Sequence, residues 1–235
     1  MLPIAVVITG DPVETVHRTR GGWAEIVRLS IGELWPNDYL TADARQGELP
    51  SLDRVSALIV TGSASSVTSR EPWILHTEEY LAGAVRERVP VLGICFGHQL
   101  LGQALGGQVR QNPRGREIGT VLFERVTDDP LFGGEPAFAV NMTHVDTVLE
   151  LPREARVLGR TELEPHAAVR FAERAWGVQF HPEIDGEIMK RYVEARRELI
   201  DAEGLDGQAI LEAVVDAPRG ASVLRRFIEH SVLGR

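Results

Sequence analysis

The sequence predicts an α/β protein: a three-layer sandwich with a central, mostly parallel sheet and helices on both faces. Three observations carry this. Short apolar runs alternate with helical patterns through residues 1–105, turn signals punctuate them, and the single cysteine, Cys95, stands directly behind one of the runs. Strands separated by helices imply parallel pairing, which places ligands at the C-terminal edge of the sheet.

Residues 2–9 form an apolar first strand, closed by the turn signal Thr9-Gly10-Asp11-Pro12. Apolar residues recur at helical spacing over 23–34 and stop before Pro36. Ala57 to Val60 is another strand, and 72–88 a helix with Pro72 in its first turn. Pro90 to Ile94 is a short buried strand, and the pattern predicts a helix over 98–105 just behind Cys95. Residues 108–180 are β-rich instead, with runs at 117–126, 137–142, 155–159, 166–171 and 175–180. From Asp185 the pattern is helical again, broken at 204–207 and 217–220. The final segment sets Val223, Leu224, Phe227 and Ile228 on one face, the mark of a packed amphipathic helix. Residues 1–190 are expected to form one domain and 191–235 a helical extension packed on it. That last face otherwise suits a homo-oligomer or another partner.

Composition narrows the setting. A chain of 235 residues can bury a sizeable core. A net charge of −9, with no basic cluster, argues against nucleic acid or an anionic membrane as partner. One cysteine excludes an internal disulfide and a Cys-x-x-Cys redox or zinc motif, so neither a metal nor a cofactor is expected. The start, Met1-Leu2-Pro3-Ile4, lacks a basic signal region, and no apolar run is long enough for a membrane span. A cytoplasmic protein is the expectation.

The chemistry concentrates in two blocks. Gly93 and Gly97 flank Cys95 at two residues on either side. This spacing suits a tight strand-to-helix turn that lifts a nucleophile above the sheet, with the N–H of the following residue, Phe96, as oxyanion donor. A thiol at a helix N-terminus also meets positive backbone dipoles, which favour thiolate. The plainer reading, a buried core cysteine, does not explain the two glycines. The second block is Trp176 to Glu183. Pro182 ends the strand there, so His181 sits where a fixed scaffold can aim an imidazole, and Glu183 is close enough to orient it. His144 lacks that placement and reads as structural, while His98 on its helix is expected to point away from the thiol.

Residues 93–107 and 177–183 together closely resemble class I glutamine amidotransferases, and the resemblance runs through most of 1–190, including Ile59 to Ser63 and Met142 to Asp146. It is nearest in flavour to stand-alone proteins related to the amidotransferase domain of GMP synthase. The resemblance implies the flavodoxin-like fold of that family and hydrolysis of a γ-carboxamide. Cys95 would attack, His181 would protonate departing ammonia and activate water, and Glu183 would complete the triad. The second oxyanion donor would lie in the loop carrying Gly62 and Ser63, where the family's usual paired glycines and proline are replaced by Gly62-Ser63-Ala64. Gln99 would hold the amino-acid end of a glutamine substrate, and the loop containing Thr143, Val145 and Asp146 would contact it partly through backbone. There the usual glycine is replaced by Val145.

The fate of the ammonia stays open. The phosphate loop of an ATP pyrophosphatase partner is absent from the sequence. One reading is a glutaminase component serving a separate synthase. A second is a γ-glutamyl peptidase acting on glutathione-like conjugates. A third, a catalytically silent binding or regulatory subunit, fits poorly with an intact Cys95, His181 and Glu183.

Overall fold

The computed structural model describes residues 1–234. Nine strands form one sheet in the order β2-β1-β3-β4-β11-β10-β9-β6-β7. They are β1 (Ile4–Ile8), β2 (Tyr39–Asp43), β3 (Ala57–Val60), β4 (Val91–Ile94), β6 (Glu117–Arg125), β7 (Ala137–His144), β9 (Arg156–Arg160), β10 (Ala168–Ala172) and β11 (Ala175–Val178). Strands β2, β1, β3, β4 and β11 pair in parallel. The remaining pairs are antiparallel, so only β10 and β6 run against the common direction. A separate ribbon joins β5 (Gln108–Gln111) to β8 (Asp146–Glu150).

The sheet is apolar on both sides because helices cover both, which is why its central strands read as continuous apolar runs. In β1, Ile4, Val6 and Ile8 face one core, packed by α2 (Trp23–Ile31), α5 (Gly186–Ala195) and α8 (Pro218–Ser231). Ala5 and Val7 face the other, beneath α3 (Pro72–Arg86) and α4 (Phe96–Ala104). Val223, Leu224, Phe227 and Ile228 of α8 are fully buried in the first core, with Phe227 edge-on to Trp176 at 6.0 Å. Helix α5 runs across residue 190, and α6 (Arg197–Ala202) and α7 (Gly207–Ala213) follow it.

Some elements differ from the sequence expectation. Helix α1 (Glu14–Arg20) and strands β2, β5 and β8 lack a legible pattern. Strand β2 is a sheet edge with a single buried residue, so it shows no apolar run. Thr143 and Asp146 were expected within a loop. Thr143 instead closes β7 and Asp146 opens β8, so the segment is a sharp strand-to-strand corner.

Candidate active site

Strand β4 hands the chain to α4 through Cys95, whose φ of 51° and ψ of −103° lie where side chains are rarely found. Two glycines permit that turn. A Cβ on Gly93 would run into the Gly97 carbonyl, and one on Gly97 into the Val60 carbonyl. The Cys95 N–H donates to Val178 O at 2.8 Å and the Gly97 N–H to Thr61 O at 3.2 Å, so β11 and β3 clamp the turn from both sides. Helix α4 begins at Phe96, two residues ahead of the expected start. His98 packs against the sheet, tilted on Phe171 at 5.3 Å, and burial drives it down to about 3, a neutral core histidine.

Beyond β11, the His181 N–H donates to Asn141 O at 2.9 Å, and the Asn141 side chain donates to Ile184 O at 2.8 Å. These bonds fix the segment around Pro182 without a ladder. His181 Nδ1 then meets Glu183 Oε1 at 2.7 Å, while Nε2 is buried with no fixed partner. Burial alone would push the Cys95 thiol up; the charges of His181 and then His144 outweigh it, and the thiol is lowered. His181 moves the other way. Burial lowers it, but Glu183 and Cys95 outweigh that and raise it. The two groups therefore favour a thiolate facing an imidazolium.

The loop after β3 closes over this pair. Thr9 Oγ1 donates to Thr61 O at 2.8 Å and is within 3.1 Å of Gly62 O, holding the loop to β1. A Cβ on Gly62 would lie 2.9 Å from His181 Cε1 and 3.7 Å from Cys95 Cβ. Ser63 avoids the left-handed region, so replacing a family glycine by serine there introduces no strain. Among the described residues neither the Ser63 nor the Phe96 N–H bonds another protein group, as oxyanion donors require.

Gln99, in the first turn of α4, is nearly buried. Its Nε2 donates to Asp146 O at 2.8 Å and Gln179 Oε1 at 3.0 Å, which leaves Oε1 free. Asp146 accepts from the Ser66 hydroxyl. Thr143 O lies 3.9 Å from Cys95 Sγ, and Val145 O accepts from the Asn112 N–H at 2.8 Å. His144 is held between carboxylates, with Nε2 at 3.3 Å from Glu117 Oε2 and Nδ1 at 3.9 Å from Glu164 Oε2. Burial lowers it, but these carboxylates outweigh burial and raise it. It is structural in contact, yet its charge reaches the thiol.

Two cavities meet at Cys95. The larger, about 330 Å³, is lined by Gln99, Val145, Asp146, Arg116 and Arg196. The smaller, about 240 Å³, lies on the His181 side and is walled by Trp23 and Tyr192. Thr143 and Ser63 line both. The structure thus gathers every expected site residue around one point. It adds four that the sequence did not reveal: Trp23, Tyr192, Arg116 and Arg196. Trp23 and Tyr192 sit at apolar helical positions that read as core, and Arg196 lies in a charge-rich run that reads as a solvated helix face. Among the described residues no group of His, Cys, Asp and Glu is placed to hold a metal ion, and no helix is long and apolar enough to cross a membrane.

A strained cysteine at the end of a central strand stands near a bonded histidine–glutamate pair on a doubly wound sheet, an arrangement suited to a nucleophile and its base. The family model "Glutamine amidotransferase class-I" matches residues 32–197, and the chain belongs to that family. Over 183 residues it is 35% identical to a glutamine-hydrolyzing GMP synthase of Aeropyrum pernix, covering 77% of this chain and 33% of that protein. It is 29% identical over 164 residues to a glutamine amidotransferase-like protein of Schizosaccharomyces pombe, covering 69% of this chain and 63% of the other. The chain thus spans about a third of the length of the GMP synthase it matches. A glutamine amidotransferase of Thermotoga maritima shares the fold over 99% of both chains, at a TM-score of 0.75 and 23% identity.

Proposed function

We propose that the protein hydrolyses the γ-carboxamide of glutamine through a thioester on Cys95. The observation that carries this reading is the convergence of Cys95, His181 and Glu183 at one sheet edge, with the 2.7 Å bond orienting the imidazole. The thiolate attacks the amide carbon, and the Phe96 and Ser63 N–H groups hold the developing oxyanion. His181 gives its proton to the departing nitrogen, so ammonia leaves and the γ-glutamyl thioester remains. His181 then takes a proton from water, hydroxide adds to the thioester, and glutamate departs as the thiolate is restored. Glu183 keeps the ring in the tautomer that presents Nε2 to the reaction.

A γ-glutamyl peptidase is the second reading, favoured by the cavity on the His181 side. Its volume of about 240 Å³ far exceeds what a departing ammonia needs, since one water-sized molecule takes about 10–15 Å³ on the same measure. The leaving amine occupies that side because His181 protonates it. A separate synthase subunit taking up ammonia belongs to the first reading.

The test is glutamate and ammonia release by the purified protein, with glutamine and glutathione offered separately and Cys95→Ala as control. Release from glutamine supports the first reading, and glutamate from glutathione the second. Release that persists in Cys95→Ala overturns both.

A further inference from the structure

Arg196 stands at the junction of α5 and α6, half-buried, on the wall shared by the two cavities that open on Cys95. Its Nη1 donates to Thr143 Oγ1 at 2.5 Å, and its guanidinium lies 5.2 Å from the ring centre of Tyr192. Among the described residues no carboxylate pairs with it. Its neighbour Arg116 differs, because both Nε and Nη2 are held by Glu203, at 2.7 and 2.8 Å. Site charge is therefore neutralised at one guanidinium and left open at the other. A half-buried cation without a counterion is poorly compensated, so a fixed Arg of this kind is suited to an anion arriving with the ligand.

Other residues lining the larger cavity have the complementary character. Asp146 contributes a carboxylate bonded there only by a hydroxyl, and Gln99 presents a free Oε1. Acceptors and an unpaired guanidinium lining one cavity fit a zwitterion, with its ammonium toward Asp146 and Gln99 and its carboxylate toward Arg196. The route from the thiol is short. Sγ lies 3.9 Å from Thr143 O, and the hydroxyl of the same Thr143 holds Arg196.

We infer that Arg196 binds the α-carboxylate of the substrate and restricts the site to γ-glutamyl compounds whose α-carboxylate is free. Glutamine within a peptide chain, whose α-carboxyl is engaged in an amide, is excluded on this reading. The inference rests on Cys95 attacking a γ-amide. It names a specificity residue contributed by the segment after α5 that the nucleophile and histidine motifs do not contain. Tyr192 stacks on the guanidinium and Thr143 holds its end, so both act as positioning residues for it.

The experiment compares the full-length protein with Arg196→Met and Arg196→Lys. Ammonia release is measured from glutamine and from 4-aminobutanamide, which is glutamine without its α-carboxylate. In parallel, Cys95 alkylation is followed by intact mass with 6-diazo-5-oxo-L-norleucine, which carries the α-carboxylate, and with iodoacetamide, which does not. The expected result is a fall of at least tenfold in kcat/KM for glutamine in Arg196→Met, with 4-aminobutanamide little changed and Arg196→Lys intermediate. Alkylation by the diazoketone should slow by a similar factor while iodoacetamide is unaffected. Equal losses with both members of either pair, or no loss with either, overturn the inference. Arg196-dependent alkylation by the diazoketone, without ammonia release from any amide in the native protein, would retain the carboxylate site and overturn the hydrolysis reading instead.

Discussion

Trp23 lies over the imidazole of His181, ring centres 6.0 Å apart and planes 23° from parallel, while its other neighbour, Tyr192, stacks at 6.4 Å. Glu183 fixes the ring through an edge bond, which leaves rotation about that bond to be limited by packing. The indole supplies that packing. Trp23→Phe keeps an aromatic face and should retain most of the ammonia release, whereas Trp23→Leu should lower kcat about tenfold or more, since misplaced catalytic groups are costly. Thermal melts of the two variants check the attribution. The loss of kcat in Trp23→Leu must appear in protein that is folded at the assay temperature.

Cys95→Ala should abolish release from glutamine and leave the melting temperature close to that of the native protein, because the thiol makes no framework bond shorter than 3.9 Å. His181→Ala should lose about 10²–10⁴-fold in kcat, the usual contribution of a positioned acid–base group. Glu183→Gln should lose less, since it weakens orientation and leaves the proton carrier. Steady-state kinetics on the three variants decide, and a larger loss for Glu183→Gln than for His181→Ala would reverse the assigned roles.

The pH dependence follows from the charges around the thiol. Burial opposes ionisation of Cys95, but His181 and His144 outweigh it, and the thiol is lowered. The thiolate exists above the thiol's own pKa, so alkylation by iodoacetamide should rise with pH through a midpoint below the ordinary thiol range. His144→Gln removes a positive charge and should move that midpoint upward. An unmoved or lowered midpoint would show that His144 has no electrostatic role at the thiol.

Gly62→Ala tests the closeness of the oxyanion loop. Its Cβ would sit 2.9 Å from His181 Cε1, so either the loop or the imidazole must shift by several tenths of an ångström. The backbone at Gly62 has no left-handed requirement, so folding should survive. The expected outcome is a fall of tenfold or more in kcat, with a melting temperature near native. KM for glutamine should change little, because the proposed seat of its amino-acid end is on the Gln99 and Arg196 side.

The placement of Cys95 in an elbow and of His181 at a strand end was legible because each depends on local backbone chemistry. Gly93 and Gly97 are needed wherever a helix start crosses strand ends this closely, and Pro182 announces the end of a ladder. The core strands were legible for a similar reason, since burial on both faces writes an unbroken apolar run. The wall of the site was not. Arg196 is separated from Cys95 by most of the sheet in sequence, and its neighbours Glu194, Arg197 and Glu198 make the run look solvated. Only the turn between α5 and α6 aims it inward. Strand β8 was hidden because its ribbon lies off the main sheet, with two of its five residues buried.

The backbone of Cys95 carries a last consequence. Its positive φ disfavours every side chain, by about 1–3 kcal/mol for a residue held in such a region, and glycine alone is relieved of it. Cys95→Gly should therefore melt higher than Cys95→Ala while both are inert. Stability and turnover thus pull in opposite directions at a single codon. A copy selected for stability alone would gain from glycine there and lose its thiol in the same step.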